Sequence, residues 1–357
     1  MISIRKMFMF PIVISMLVVY SQTDLIHNKV NFTKLTQLTE LTQLTKLTEL
    51  TPPSTEILNL VSNIAKMLSL SQTTSPTTTP TMTPTMTPTM TPTTSLTTTL
   101  YGKVPVVLMH GILSNHQTMF ELQTYLELEF GVVVFVPEIG NGKLNSINMP
   151  LYKQGQILCT ELNQNPTLAD GFDFVGISQG GILGRYYVEK CDGYLVRNLI
   201  TLVSPHGGTF NALYAESIDF YGNFAQSFYS FSSYWRDPTQ LEQYYNRTLL
   251  ANLNNEVYNP DYELNQKKML MLENLVMVFS SEDLIVLPPE SGIFGTYNES
   301  SLNVIPYTDT ISYKTLGLDI LESSNRLHIY QTNCPHDSHA MYDCFKHLYE
   351  MFKTYCG

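Results

Sequence analysis

Six short apolar runs, VPVVLM (104–109), VVVFVP (132–137), FDFVGI (172–177), VRNLITLV (196–203), LVMVFSS (275–281) and RLHIYQT (326–332), dominate the latter part of the chain. They are continuous rather than alternating, as strands covered on both faces of a parallel sheet must be. Helix-like stretches near 150–164 and 179–191 separate three of them, and a terminal helix is expected near 340–353. Strands alternating with helices predict an α/β fold, a mainly parallel sheet flanked by helices, with its functional site at the carboxyl ends of the strands. The alternation stops over about 209–272, where aromatic and polar residues predict a mostly helical insertion packed over those strand ends.

The first hundred residues cannot join that core. Arg5 and Lys6 precede MFMFPIVISMLVVY and then Ser21 and Gln22, the order of a secretory signal peptide over 1–22. The apolar stretch falls short of the ~20 residues that span a bilayer, so cleavage is expected rather than anchoring, and no later run is apolar enough to cross a membrane. Residues 23–100 hold an L-T-x repeat and a Thr/Pro tract, expected to form a disordered stalk, and 101–357 form the folded domain. Of the 357 residues only 14% are charged, the net charge is −11 and no basic patch stands out, which excludes a nucleic-acid partner. A lysosomal or secreted product fits the sequons at Asn31, Asn246 and Asn298. Five cysteines leave at least one outside any intramolecular disulfide, and none stands in a CxxC pair, so neither a metal nor a cofactor is expected.

Within FDFVGISQGG, Ser178 follows an apolar run and is fenced by Gly176, Gly180 and Gly181. That is the pattern of a nucleophile elbow, a strand-to-helix turn so tight that only glycines let the neighbouring backbone pass. A serine hydroxyl attacks at neutral pH only when a histidine takes its proton and a carboxylate orients that histidine. On the α/β-hydrolase fold the acid and then the histidine follow the serine along the chain. Asp283 after LVMVFSS is the expected acid, with Glu282 as runner-up. After RLHIYQT two histidines compete, and His339, expected to open the terminal helix behind the small Ser338, is preferred to His336. His328 lies within the strand and reads as a core or edge residue. Oxyanion donors are expected from the backbone N–H of Gln179, after the nucleophile, and of Ile112 in the HG turn after VPVVLM, where His110 reads as structural.

With these elements in order, the stretches VVLMHGILSN, VPEIGNG, YKQGQILCTELNQNPTLADGFDFVGISQGGILGRYYVEKC, SYWRDPTQLEQYYNRTLLANLNNE and LVMVFSSEDLIVLPPESGIFGTY resemble the palmitoyl-protein thioesterases, serine hydrolases of the α/β-hydrolase superfamily. The resemblance implies removal of long-chain fatty acyl groups from protein cysteines, by Ser178, Asp283 and His339 with the amides of Ile112 and Gln179. The implied partners are fatty-acylated proteins or peptides and long-chain acyl thioesters, and no cofactor is implied. It also pairs Cys159 with Cys191. Two further readings stay open: a lipase or carboxylesterase on the same fold, and a stalked surface protein that binds without catalysis.

Overall fold

The computed structural model describes residues 102–357, apart from 213, 214, 216, 217 and 300. The expected signal peptide, the stalk and Asn31 lie outside the described residues.

The apolar runs become strands β1 (Val106–Met109), β2 (Val134–Phe135), β3 (Phe172–Ile177), β4 (Val196–Leu202), β5 (Asn274–Ser280) and, after a two-stranded hairpin of β6 (Thr296–Tyr297) and β7 (Val304–Ile305), β8 (Leu327–Thr332). Six of them form one parallel sheet in the order β2-β1-β3-β4-β5-β8. The run at 132–137 yields a strand of only two residues at the sheet edge, pairing through Val134 and Phe135 and followed by Pro137, which has no N–H to continue a ladder.

Continuous apolarity is explained by two cores, one on each face. Val107, Met109, Phe174, Leu199, Leu275 and Met277 face one side, while the intervening Val106, Leu108, Val175, Ile200, Val276 and Val278 face the other. Successive strand residues point to opposite faces, so a sheet covered twice is apolar at every position. Helices α1 (Phe120–Phe130) and, at the C-terminus, Tyr349–Tyr355 supply Leu122, Leu126, Phe352 and Tyr355 to the second core. Helices α2 (Leu151–Asn163) and α3 (Gln179–Lys190) supply Leu151, Leu158, Ile182 and Leu183 to the first.

Among the described residues of the insertion four short segments are α-helical, Asn223–Phe228, Leu241–Arg247, Leu249–Leu253 and Tyr262–Met269, and Phe231–Ser233 forms a 3-10 turn. Many of its aromatic rings belong to the first core. Phe220 stacks on Trp235 with centroids 3.9 Å apart, and Phe210, Tyr221, Tyr234 and Tyr244 are buried with them. The chain end departs from the single expected helix: a 3-10 turn over His336–Ala340 precedes Tyr342–Phe345, a second 3-10 turn at Lys346–Leu348 and Tyr349–Tyr355. Among the described residues no helix is long and apolar enough to cross a membrane.

Candidate active site

Ser178 sits between the end of β3 and the first residue of α3, with φ 55° and ψ −125°, a conformation costly for any residue with a side chain. The strain persists because both flanks are held. The Ser178 N–H donates to the Leu202 carbonyl at 2.8 Å, and the Ser178 carbonyl accepts from Gly181 N–H at 3.0 Å. The fence of glycines is steric: a Cβ on Gly176 would stand 2.5 Å from the Gly181 nitrogen, and one on Gly180 would strike the Met109 carbonyl. The strand and helix can therefore meet this closely only without those side chains.

Asp283 follows β5 and is buried. Its Oδ1 accepts the N–H groups of Ile285 at 2.8 Å and Val286 at 2.9 Å, which turns Oδ2 toward His336 Nδ1, 2.7 Å away. His336 Nε2 lies 2.9 Å from Ser178 Oγ. Serine, imidazole and carboxylate thus form one hydrogen-bonded line drawn from three strand ends. The neighbouring Glu282 is exposed and takes no part.

The structure does not bring His339, the histidine preferred on sequence, to Ser178; His336 stands there instead. His339 is buried, but its Nε2 lies 2.9 Å from Thr332 Oγ1 and its Nδ1 donates to the His336 carbonyl at 3.0 Å, so both ring nitrogens are engaged within its own loop. Burial pushes its pKa down. It buttresses the turn that carries His336. The turn is anchored further by the Cys334–Cys344 disulfide, which spans His336, and by Ser280 Oγ donating to the Cys334 carbonyl at 2.6 Å. His328, expected to be a core or edge residue, lies half-buried in β8 with Nε2 3.0 Å from Asn274 Oδ1.

The HG turn runs alongside the serine. A Cβ on Gly111 would lie 3.0 Å from Ser178 Cβ and 3.1 Å from the Ile177 carbonyl, so the backbone leading into Ile112 passes close beside Ser178. His110 is buried beneath it, with Nδ1 donating to the Gly111 carbonyl at 2.9 Å and Nε2 3.2 Å from Glu138 Oε1. Gln179 opens α3, and the first N–H groups of a helix have no partner within it. Its side chain is gripped by residues to which sequence reasoning gave no role: Tyr234 of the insertion donates to Oε1 at 3.0 Å, and Nε2 donates to the Ser146 carbonyl at 2.8 Å. The cue was faint. Tyr234 stands in the SYWRDP stretch, whose aromatic character alone reads as core.

Cys159, in α2, and Cys191, at the end of α3, form a disulfide with Cα atoms 5.6 Å apart, and Cys356 is a free buried thiol. Among the described residues no cluster of His, Cys, Asp and Glu could hold a metal ion. Of the expected glycosylation positions, Asn246 is exposed and Asn298 half-buried.

A strained serine at a strand–helix elbow, on a parallel sheet with the acid and the histidine following later strands in that chain order, is the architecture of the α/β-hydrolases. A family model for palmitoyl protein thioesterase matches residues 105–336. The chain is 33% identical over 263 residues to palmitoyl-protein thioesterase 3 of Dictyostelium discoideum, covering 70% of this chain and 90% of that protein. It is 30% identical over 260 residues to palmitoyl-protein thioesterase 1 of Caenorhabditis elegans, covering 66% and 86%, and 28% identical over 235 residues to human lysosomal thioesterase PPT2, covering 59% and 76%. Among solved structures it is similar to a lipase-esterase related protein from Clostridium acetobutylicum, at 12% identity and a TM-score of 0.39 over 71% of this chain and 96% of that one. The chain belongs to the palmitoyl protein thioesterase family.

Proposed function

We propose that the protein hydrolyses long-chain fatty acyl thioesters, palmitoyl groups on protein cysteines in the first instance, through an acyl-enzyme on Ser178. The observation that carries this reading is the Ser178–His336–Asp283 line in a chain of this family. His336 Nε2 takes the hydroxyl proton as Ser178 Oγ adds to the thioester carbonyl. Asp283 holds the Nδ1–H tautomer and stabilises the imidazolium. The amides of Ile112 and Gln179 receive the oxyanion. As the C–S bond breaks, His336 returns the proton to the departing cysteine sulfur. Water, deprotonated by His336, then releases the fatty acid from Ser178.

Thiolate is a far better leaving group than an amine, so the site needs less from its general acid than a protease does. A lysosomal or secreted destination is supported by the signal-like N-terminus, by the two disulfides and by the names of several relatives.

The test is turnover of a palmitoyl-thioester peptide by the wild type and by Ser178→Ala. The variant should lose at least ~10⁴-fold in kcat while keeping its fold. Residual activity within tenfold of wild type would remove Ser178 from the mechanism. Competition against a matched palmitoyl oxyester separates a thioesterase from a lipase or carboxylesterase, because the same triad serves both and only the relative kcat/KM differs.

A further inference from the structure

The oxyanion loop is bracketed by two histidines, and one carboxylate reaches both. Residues 110–116 leave β1 and pass Ser178. In their middle Leu113 adopts φ 55°, a left-handed conformation that a branched, half-exposed side chain holds only when both neighbouring segments are pinned. Glu138, in the loop after β2, supplies the pins. Its Oε1 lies 3.2 Å from His110 Nε2 at the upstream end. Its Oε2 accepts the His116 backbone N–H at 2.9 Å and also contacts His116 Nδ1, at the downstream end where a 3-10 turn begins. The backbone around it is shaped for this carboxylate: Gly142 has φ 54°, and a Cβ there would stand 2.9 Å from Glu138 Oε1 and 3.1 Å from Asn115 Cβ.

We propose that Glu138 is a positioning residue that holds the Ile112 amide at the oxyanion by tying His110 to His116 across the strained Leu113. The proposal rests on the role of the Ile112 amide given under the proposed function. Glu138 touches neither substrate nor nucleophile. Both ring nitrogens of His110 face oxygen, the Gly111 carbonyl on one side and Glu138 on the other. A glutamine can keep these contacts, its amide N–H donating to His110 Nε2 and its oxygen accepting from the His116 N–H. Alanine can make neither.

The experiment reads the reaction of Ser178 with an alkyl fluorophosphonate. The serine oxygen bonds to phosphorus, fluoride leaves, His336 takes the proton, and the phosphonyl oxygen occupies the oxyanion position. For Glu138→Ala the maximal rate of labelling should fall roughly 10- to 100-fold while the half-saturating concentration stays within twofold, and Glu138→Gln should recover to within about fivefold of wild type. An unchanged rate in a folded Glu138→Ala, a loss in probe affinity that matches the loss in rate, or a glutamine variant no better than alanine would each overturn the proposal. Should Glu138→Ala fail to fold, His116→Ala, which removes a half-exposed imidazole and leaves the backbone N–H contact, should slow labelling roughly three- to tenfold, and no change would overturn it. A wild type labelled at Ser178 but inert toward palmitoyl thioesters would sink the substrate reading while Glu138 is still judged by the labelling rates. A wild type that is not labelled would sink both.

Discussion

Replacing Asp283 by asparagine exchanges a single oxygen for an amide nitrogen, and the structure dictates which one. Oδ1 is held by the N–H groups of Ile285 and Val286 at 2.8 and 2.9 Å, so the amide oxygen of an asparagine must take that place. Its NH₂ then faces His336 Nδ1, where Oδ2 stood at 2.7 Å. A donor there can meet only an unprotonated Nδ1. That forces the ring proton onto Nε2, the nitrogen 2.9 Å from Ser178 Oγ. The base is then already protonated where it must accept, and the charge that would stabilise the imidazolium is gone. The loss expected from this tautomer exchange is ~10⁴-fold in kcat, about 5.5 kcal/mol at 1.36 kcal/mol per decade. Stability should change far less: two hydrogen bonds become neutral rather than charge-assisted, costing on the order of 1 kcal/mol and roughly 2–4 °C in Tm. Kinetics on a palmitoyl thioester, beside a thermal melt of the same preparation, separate the two effects. A folded Asp283→Asn enzyme within tenfold of wild-type kcat would refute the tautomer argument and, with it, the role given to Asp283.

Two further outcomes follow from the same geometry. His336→Ala should match Ser178→Ala in its loss of kcat, whereas His339→Ala, which unties Thr332 and the His336 carbonyl, should cost roughly ten- to a hundredfold together with some stability; the reverse ranking in parallel assays would return the base to His339. Asp173, buried at the start of β3 with its Oδ1 accepting from the Asn198 N–H at 3.2 Å and Nδ2 at 2.9 Å, has its pKa pushed by burial from the usual 3.8 up to about 6. Because the folded value is the higher one, the stabilisation from its protonated form is present below about pH 4 and is lost as pH rises through about 6, a change on the order of 3 kcal/mol. Asp173→Asn should flatten that part of the stability curve, and equal pH dependence of urea midpoints in variant and wild type between pH 4 and 7 would contradict it.

The strands and the tight turn at Ser178 were legible because their cause is local. A strand covered on both faces is apolar at each position, and an elbow requires small residues one turn apart, so FDFVGISQGG and the six apolar runs carry their structure within a few residues. Asp283 was legible for the same reason, since it follows β5 directly. The aromatic stretch over 209–272 was less so: its rings are placed by stacking such as Phe220 on Trp235 and by packing against the sheet, and only short helices form between them. The choice between His336 and His339 was beyond local pattern. They stand three residues apart in one turn, and the small Ser338 beside His339 favoured the one that does not face Ser178.

What selected His336 is the placement of three strand ends, a serine 158 residues away and a carboxylate 53 residues away, with the Cys334–Cys344 bridge holding the turn toward them. Glu138 is of the same kind, its partners lying 22 and 28 residues upstream. The sequence by itself thus determined the family resemblance and the placement of Ser178 and Asp283 just after their strands. Tertiary structure alone decided which imidazole lies between Ser178 and Asp283 and which carboxylate reaches both His110 and His116, because hydrogen bonds are made across space between side chains whose separation along the chain leaves no periodic trace.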